Sequence, residues 1–308
     1  MGDQAVLPDA DELPETLLDL AVPHEDINEL IALRRTLAAD PGALRLLEEC
    51  VGELVADMGE VGGRPQLAER LAEVPPALAA HFAVYVLVAA LPHTRAHHRA
   101  RGVPDDVSRH TLADLGRQMT VHRRRHGSGG LSALYWLMLH FRGELYQLGR
   151  LQFQRTVLDE RMARAVKDAG RAAAPGDPCL GLHIPDHLGP LTPSACARSL
   201  RLARPFFARH FPGERYEAAK CHSWLLDPQL RRHLAPESNI VRFQELFVVL
   251  GVDTEPSDKG PVGYVFGDPD LPAAELPRTT SMERAVGDHL RSGGHWYLGH
   301  GWFPLEGS

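Results

Sequence analysis

Apolar residues recur at helical spacing through roughly the first 125 positions. Ile27, Leu30, Ile31, Leu33 and Leu37 mark one helix, and Asp40-Pro41 a stop and a new start, with proline at a first-turn position. Leu44, Leu46, Leu47, Val51, Leu54 and Val55 form the next stripe. Pro75-Pro76 opens a third helix, from Pro76 to Leu91, apolar nearly all round and so expected at the centre of a bundle. Pro104-Asp105-Asp106 starts a last long helix through Leu112, Leu115, Met119 and His122. It ends in the basic run His122 to His126, and Gly127, Gly129 and Gly130 break it.

The period then changes. Leu134 to Gln154 shows partial alternation and predicts strands, with Arg142-Gly143-Glu144 near one turn. A short helix or loop covers Asp159 to Arg171, and a strand ending at proline covers Cys179 to Pro185. The loop Asp186 to Leu191 leads to Thr192-Pro193, an N-cap followed by an N1 proline, and a helix from Ser194 to His210. Strands are expected at Tyr216 to Leu226, Asn239 to Phe247 and Tyr264 to Gly267, with helices at Pro228 to Leu234 and Thr280 to Arg291. The tail from Gly293 to Phe303 fits either a lid over a pocket or a terminal strand. The fold class is therefore a helical domain at 1–127 followed by an α/β domain at 128–308, divided at the glycine break.

Composition narrows the function classes. The 308 residues are 44 % apolar and 24 % charged, as in a soluble globular protein. A net charge of -7 excludes a general polyanion binder and argues against a nucleic-acid partner. The longest apolar run, Phe82 to Leu91, is about half of what ~30 Å of hydrocarbon demands, so no membrane span is expected. No basic segment precedes an apolar one at the N-terminus, so no secretory signal is expected. Cys50, Cys179, Cys196 and Cys221 form no C-x-x-C pair, which fits a reducing cytoplasm and no zinc ribbon. Only three of the 33 basic residues are lysine, the mark of a GC-rich bacterial coding bias, and no Gly-Lys-Ser/Thr of a P-loop occurs.

Several segments carry a family resemblance: Phe141 to Phe153 (FRGELYQLGRLQF), Leu182 to Pro185 (LHIP), Gly189 to Pro193 (GPLTP), Cys221 to Pro228 (CHSWLLDP) and Ser238 to Phe243 (SNIVRF). Together they resemble the actinobacterial acyltransferase-domain-containing proteins, which pair a helical N-terminal acyltransferase domain with a GNAT-like C-terminal domain, and the resemblance spans nearly the whole chain. It implies a GNAT-like mixed β-sheet with flanking helices in the second half. Two central strands would splay to seat the pantetheine of an acyl-CoA or acyl-carrier-protein thioester. A turn after the strand at 180–185 would bind the donor's pyrophosphate at a helix N-terminus, through Gly189, Leu191, Thr192 and Ser194. The chain departs from the superfamily's Arg/Gln-x-x-Gly-x-Gly/Ala pattern here: only Gly189 is present, beside two prolines that carry no N–H.

Acyl transfer to an amine needs a base, and His183 and His222 stand on predicted central strands, with Glu144 as a further base or an orienting group. Asp227, Ser223 and Trp224 flank His222. A strand turns His222 and Ser223 to opposite faces, so His222 cannot activate Ser223, and no Gly-x-Ser-x-Gly elbow exists. Arg142, Glu144, Tyr146, Arg150, Gln152 and Gln154 form the densest polar run and would share a face of one continuous strand. Arg142 and Arg150 suit a substrate carboxylate, and Arg242 joins them if its strand is adjacent. A solvated sheet face with ion pairs explains the same run equally well. His93 and His97 have metal-ligand spacing without a carboxylate at helical distance, and arginines surround them, so no metal is expected.

These readings point to an N-acyltransferase moving an acyl group from a CoA or carrier-protein thioester to a small amine or amino acid, in bacterial secondary metabolism, with no tightly bound cofactor. Two alternatives stand beside it. One keeps the fold without CoA and uses the same bases for an elimination or cyclisation of a small amino substrate. The other is a non-catalytic partner subunit that docks through the helical domain.

Overall fold

Helix α1 (Leu13–Asp19) buries Leu13 and Leu17 and leads into α2 (His24–Ala39). Asp40 ends α2 and starts α3 (Pro41–Val55): its carboxylate accepts from the Gly42 N–H at 2.9 Å and the Ala43 N–H at 3.1 Å, with Pro41 in the first turn. After the short α4 (Ala68–Ala72) comes α5 (Ala79–Ala100), in which every residue from Phe82 to Leu91 is buried. That all-round burial is what an unbroken apolar run requires, and it makes α5 the axis of the first core. α6 (Asp105–Leu112), α7 (Asp114–His126) and α8 (Leu134–Phe141) complete the helices of this region. α7 stops where Gly127 takes φ 68°, a left-handed cap. This is a computed structural model, and it describes residues 7–305.

Strand β1 (Leu145–Leu148) and β2 (Leu151–Val157) meet at a turn in which Gly149 has φ 69°. Then follow α9 (Glu160–Asp168), β3 (Pro178–His183), α10 (Pro193–His210), β4 (Ala218–Ser223), α11 (Asn239–Gln244), β5 (Val248–Pro256), α12 (Lys259–Phe266), α13 (Ser281–Arg291) and β6 (Tyr297–Pro304). The strands form one six-stranded mixed sheet in the order β1-β2-β3-β4-β6-β5. β3 and β4 run parallel, while β2–β3, β4–β6 and β5–β6 are antiparallel. One face packs on α9 through Cys179, Ala218 and Trp302. Thr192 caps α10 by accepting from the Ala195 N–H at 3.2 Å, as the Thr-Pro pair predicts. A full capping box, Thr280 with Glu283, opens α13. Among the described residues no helix is long and apolar enough to cross a membrane.

The chain divides into two compact units, Met1–Tyr146 and Gln147–Ser308. The expected boundary at 127/128 lies earlier, because 134–141 is helix: Leu134, Leu137, Met138 and Phe141 fill the first unit's core. A short, wholly apolar run has no period to separate a buried strand from a buried helix. Residues 239–244 and 264–266, expected as strands, are also helical; α11 starts on Ser238, whose hydroxyl accepts from the Val241 N–H at 3.3 Å. Arg142 and Glu144 therefore lie outside the sheet, and Arg242 lies on a helix. The segment predicted as a strand at 216–226 is strand only over Ala218–Ser223, and Trp224–Leu226 is a 3-10 turn. The tail resolves as β6, a terminal strand.

Arg142 closes the C-terminal end of α3. Its Nη1 donates to the Leu54 and Ala56 carbonyls at 2.9 and 2.8 Å, and its Nε donates to Glu144 Oε1 at 3.0 Å. Both residues are buried, at 2 % and 1 % exposure. Terminal helix carbonyls need such a partner, and a buried guanidinium needs a carboxylate. We expect Arg142→Met to destabilise the first unit by about 3–5 kcal/mol, because it strands the Glu144 charge. Adding Glu144→Gln should recover part of that loss. Urea unfolding of both variants checks this, and a single variant within 0.5 kcal/mol of wild type (about the scatter of ordinary surface changes) would refute the clamp.

Gly116 allows α7 to approach the end of α1. Its N–H donates to the Leu20 carbonyl at 3.1 Å, and a Cβ at this position would stand 1.8 Å from the Ala21 carbonyl oxygen. Gly116→Ala should therefore destabilise by about 1–3 kcal/mol despite alanine's better helix propensity, visible as a lowered Tm. A raised Tm would contradict the packing.

Candidate acyl-transfer site

The site rests on how briefly β3 and β4 pair. β3 is bonded to β2 along its whole length, from Val157↔Pro178 to Gln152↔His183. β4 is bonded to β6 along its whole length, from Ala218↔Pro304 to Ser223↔Gly299. Between β3 and β4 only Leu180↔Ala219 and Gly181↔Lys220 are in register. Beyond Gly181 and Lys220 the two parallel strands are no longer paired. The β4-facing edge of β3 and the β3-facing edge of β4 thus carry backbone groups unpaired across this gap in the ladder, toward the C-terminal ends of both strands.

Alternation places His183 and His222 on one face. His183 follows Cys179 and Gly181, and His222 follows Ala218 and Lys220; Cys179 and Ala218 pack on α9. Both histidines thus sit past the last paired position, on the α9 side. His183 is half-buried, and its Nε2 meets Gln154 Oε1 at 2.9 Å. With the amide assigned in that orientation, Nε2 carries the hydrogen and Nδ1 keeps the basic lone pair.

His222 reaches solvent but stands in crowded company. Its ring meets that of His300 edge-on at 4.6 Å, and His300 Nε2 bonds Asp253 Oδ1 at 2.6 Å. Lys220 Nζ donates to the Val157 carbonyl at 2.7 Å and lies 3.7 Å from Asp159 Oδ2. Desolvation, then the neighbouring His300 and Lys220, push the His222 pKa down to about 4. His222 is therefore a neutral imidazole at pH 7.

After β3 the chain turns through the exposed loop Asp186–Pro190 into α10. Gly189 has φ 76° with open space around it, and its carbonyl accepts from Arg150 Nε at 2.9 Å. Leu191 is buried and anchors the loop. Thr192 Oγ1 also lies 3.2 Å from Ser194 Oγ. Pro190 and Pro193 offer no N–H.

The other expected site residues have structural employment. Ser223 Oγ accepts from the Leu225 N–H at 3.1 Å and so caps the turn after β4, and Trp224 packs in the second unit's core against Tyr264. Asp227 is buried and accepts from the Gln229 and Tyr297 N–H groups, both at 2.9 Å. Arg242 is exposed and pairs with Glu245 at 3.0 Å. Arg142 and Glu144 form the clamp on α3, which corrects their expected roles as substrate ligand and base. Tyr146 is buried beside His98, with ring centroids 5.3 Å apart. Gln152 is buried opposite His183 in the β2–β3 register. The continuous face from 142 to 154 is thus reduced to Gln152 and Gln154 beside His183. Gln154 and His300 are legible only as members of a polar run and of an aromatic tail, and Asp253 had no signal because β5 is not predicted.

Two other features compete for attention. A cavity of about 540 Å³ lined by Arg171, Leu180, Arg204, Phe207 and Tyr216 opens on the Leu180 face, and neither histidine lines it. In the first unit Asp26, Glu29 and His81 place ligand atoms within 4.8 Å of one another, but Asp26 already holds the Arg123 guanidinium, which opposes a dication. His98, next to His97 on α5, meets Ser108 Oγ at 2.7 Å, and burial lowers its pKa to about 3.

Comparison with known proteins joins the two halves. Residues 11–143 match the N-acyltransferase N-terminal domain, and residues 145–303 match the GNAT-like C-terminal domain. Among curated proteins there is no match. A crystal structure of an acyltransferase in complex with decanoyl-CoA and teicoplanin is similar, with 37 % identity, a TM-score of 0.85, and coverage of 99 % of this chain and 91 % of that one. An acyltransferase in complex with CoA and 10C-teicoplanin gives 37 %, 0.84, 97 % and 90 %. An acyltransferase in complex with decanoyl-CoA gives 40 %, 0.82, 97 % and 89 %. A helical first half, a mixed sheet that opens between its central parallel strands, and likeness over nearly the full length make the chain an acyltransferase, a member of the family that joins an N-acyltransferase N-terminal domain to a GNAT-like C-terminal domain.

Proposed function

We propose that the protein is an N-acyltransferase that moves an acyl group from a CoA thioester to an amine in natural-product assembly. The observation that carries this is the two-position pairing of β3 with β4, with His183 and His222 just beyond it on one face. A pantetheine arm is a thin, peptide-like chain, and a parted pair of parallel strands offers it backbone groups on both sides. The similar structures that hold decanoyl-CoA, and teicoplanin beside it, favour an acyl-CoA donor of medium length. They also favour an acceptor amine borne on a glycopeptide or a comparable amino compound.

The reaction follows from these groups. The ammonium of the acceptor loses one proton to solvent. The neutral amine then attacks the thioester carbonyl, and the developing oxyanion is met by backbone N–H groups on the β4-facing edge of β3. His183 Nδ1 takes the second proton from nitrogen, while Gln154 holds the ring by the hydrogen on Nε2. The C–S bond breaks as the tetrahedral intermediate collapses, giving the amide, and the CoA thiolate takes a proton to leave as free thiol. His222, already neutral, accepts a hydrogen bond from the amine and aligns it. Its low pKa makes it too weak a base for the main transfer.

His183→Ala should lower kcat by about 10²- to 10⁴-fold with the fold intact, measured by free-thiol release from decanoyl-CoA with an amine panel that includes a glycopeptide. His222→Gln should have a smaller effect and leave the acid limb of kcat/KM in place. A group neutral above about pH 4 adds no inflection between pH 5 and 8. If His183→Ala kept full activity while His222→Gln abolished it, the assignment of the base would be wrong. If no thioester donor released thiol, the function itself would be.

A further inference from the structure

We propose that Arg150 is the residue that selects phosphorylated acyl donors, supplying the positive charge for the donor's diphosphate that the loop before α10 lacks in its own backbone. This deepens the acyl-CoA reading and rests on it.

Arg150 is fixed from two sides. It stands in the β1–β2 turn, and Ser199 of α10 accepts from both the Arg150 N–H at 2.8 Å and the Leu151 N–H at 3.2 Å. A Cβ on Gly149 would lie 2.9 Å from that same hydroxyl, so the turn and α10 are in close contact. The guanidinium then reaches the loop, where Nε donates to the Gly189 carbonyl at 2.9 Å. Arg150 is only 7 % exposed, and its Nη1 is buried without a hydrogen-bond partner.

That state is unusual beside the other buried arginines. Arg142 has Glu144, and Arg155 has Glu214. Among the described residues Arg150 has no carboxylate, and its one side-chain bond is to a neutral carbonyl. A buried guanidinium with an unmet N–H and no counter-charge is stabilised by an anion brought from outside. The acyl-CoA reading supplies the anion, the donor's diphosphate, and the place where Arg150 lies fits it. It is the loop that leads from the parted strand β3 into α10, where Pro190 and Pro193 remove two N–H donors and Thr192 Oγ1 already takes that of Ala195. A diphosphate arriving there finds few backbone donors, and a fork of guanidinium N–H groups matches two phosphate oxygens at once. At Gly189 the space that a side chain would fill is free of other atoms out to 4 Å, which leaves the outer side of the loop open to the ligand.

The test compares decanoyl-CoA, decanoyl-dephospho-CoA and decanoyl-pantetheine, the last without phosphate, in wild type, Arg150→Met and Arg150→Lys. Arg150→Met should raise KM for the first two donors about 10- to 100-fold and leave KM for decanoyl-pantetheine unchanged, with kcat little altered. Arg150→Lys should recover part of the loss. Calorimetric binding of free CoA against free pantetheine gives the same comparison without turnover, and circular dichroism with Tm checks the fold. Equal losses for all three donors would make Arg150 a structural residue only, and no loss would refute the proposal, as would a wild type that does not distinguish CoA from pantetheine donors. Loss with decanoyl-CoA alone would move the contact to the 3′-phosphate and refute the diphosphate assignment. Wild type inactive with every donor, yet binding CoA tighter than Arg150→Met does, would sink the transfer reading and keep this one.

Discussion

The second unit depends on two strands that lie side by side and yet are each held by the other neighbour. Parallel pairs bond slightly less well than antiparallel ones, and here β3 and β4 sit between antiparallel partners that bind them along their full length. The end of β3 stays with β2 through the Gln152↔His183 register and the His183–Gln154 bond. The end of β4 stays with β6 through the Ser223↔Gly299 register, and the turn after it packs on Gly299, where the Leu226 backbone lies 2.7 Å from where a Cβ would be. Pro185 follows the end of β3, and the turn capped by Ser223 follows the end of β4.

Polar groups in the interior divide by whether their charge is met. The Arg142–Glu144 pair in the first unit and the Arg155–Glu214 pair in the second have both partners in place, and each ties a chain end or loop into its unit. Such pairs are costly to break and add little net stability over an apolar filling; their value lies in fixing one geometry. His300 with Asp253 does the same on the sheet surface beside His222. A buried guanidinium left without a carboxylate carries different information, since Arg142 and Arg155, buried like it, each have one.

Much of this was legible in the residues. Asp40-Pro41, Thr192-Pro193 and Gly127 fix helix ends through local hydrogen bonding and backbone freedom, and local physics needs no tertiary context. The strand at 178–183, expected at Cys179 to Pro185, was equally readable, because an apolar run ending at proline marks it. What failed were segments whose pattern is set by tertiary burial. Leu134–Phe141 carries apolar or aromatic residues even on its exposed side, at Tyr135, and such a run has no polar face to read. Val248–Pro256, an edge strand with exposed Val248 and a bulge, alternates too weakly to be found, and with it Asp253 was lost. Residues around a motif were over-assigned for a related reason: Ser223 and Asp227 look chemical beside His222, but their oxygens are used by the backbone of the next turns.

The two histidines show why position alone does not settle a role. Both lie past the last paired register on the same face, yet their neighbours differ. His183 has Nε2 engaged by the Gln154 amide oxygen, which favours one tautomer. Burial first, then the neighbouring His300 and Lys220, lower the affinity of His222 for a proton. In the proposed amine acylation, one ring would take the proton from nitrogen and the other would hold that nitrogen in line before attack. Lys220, which acts on His222 after burial and His300, sits opposite Gly181 at the last paired position.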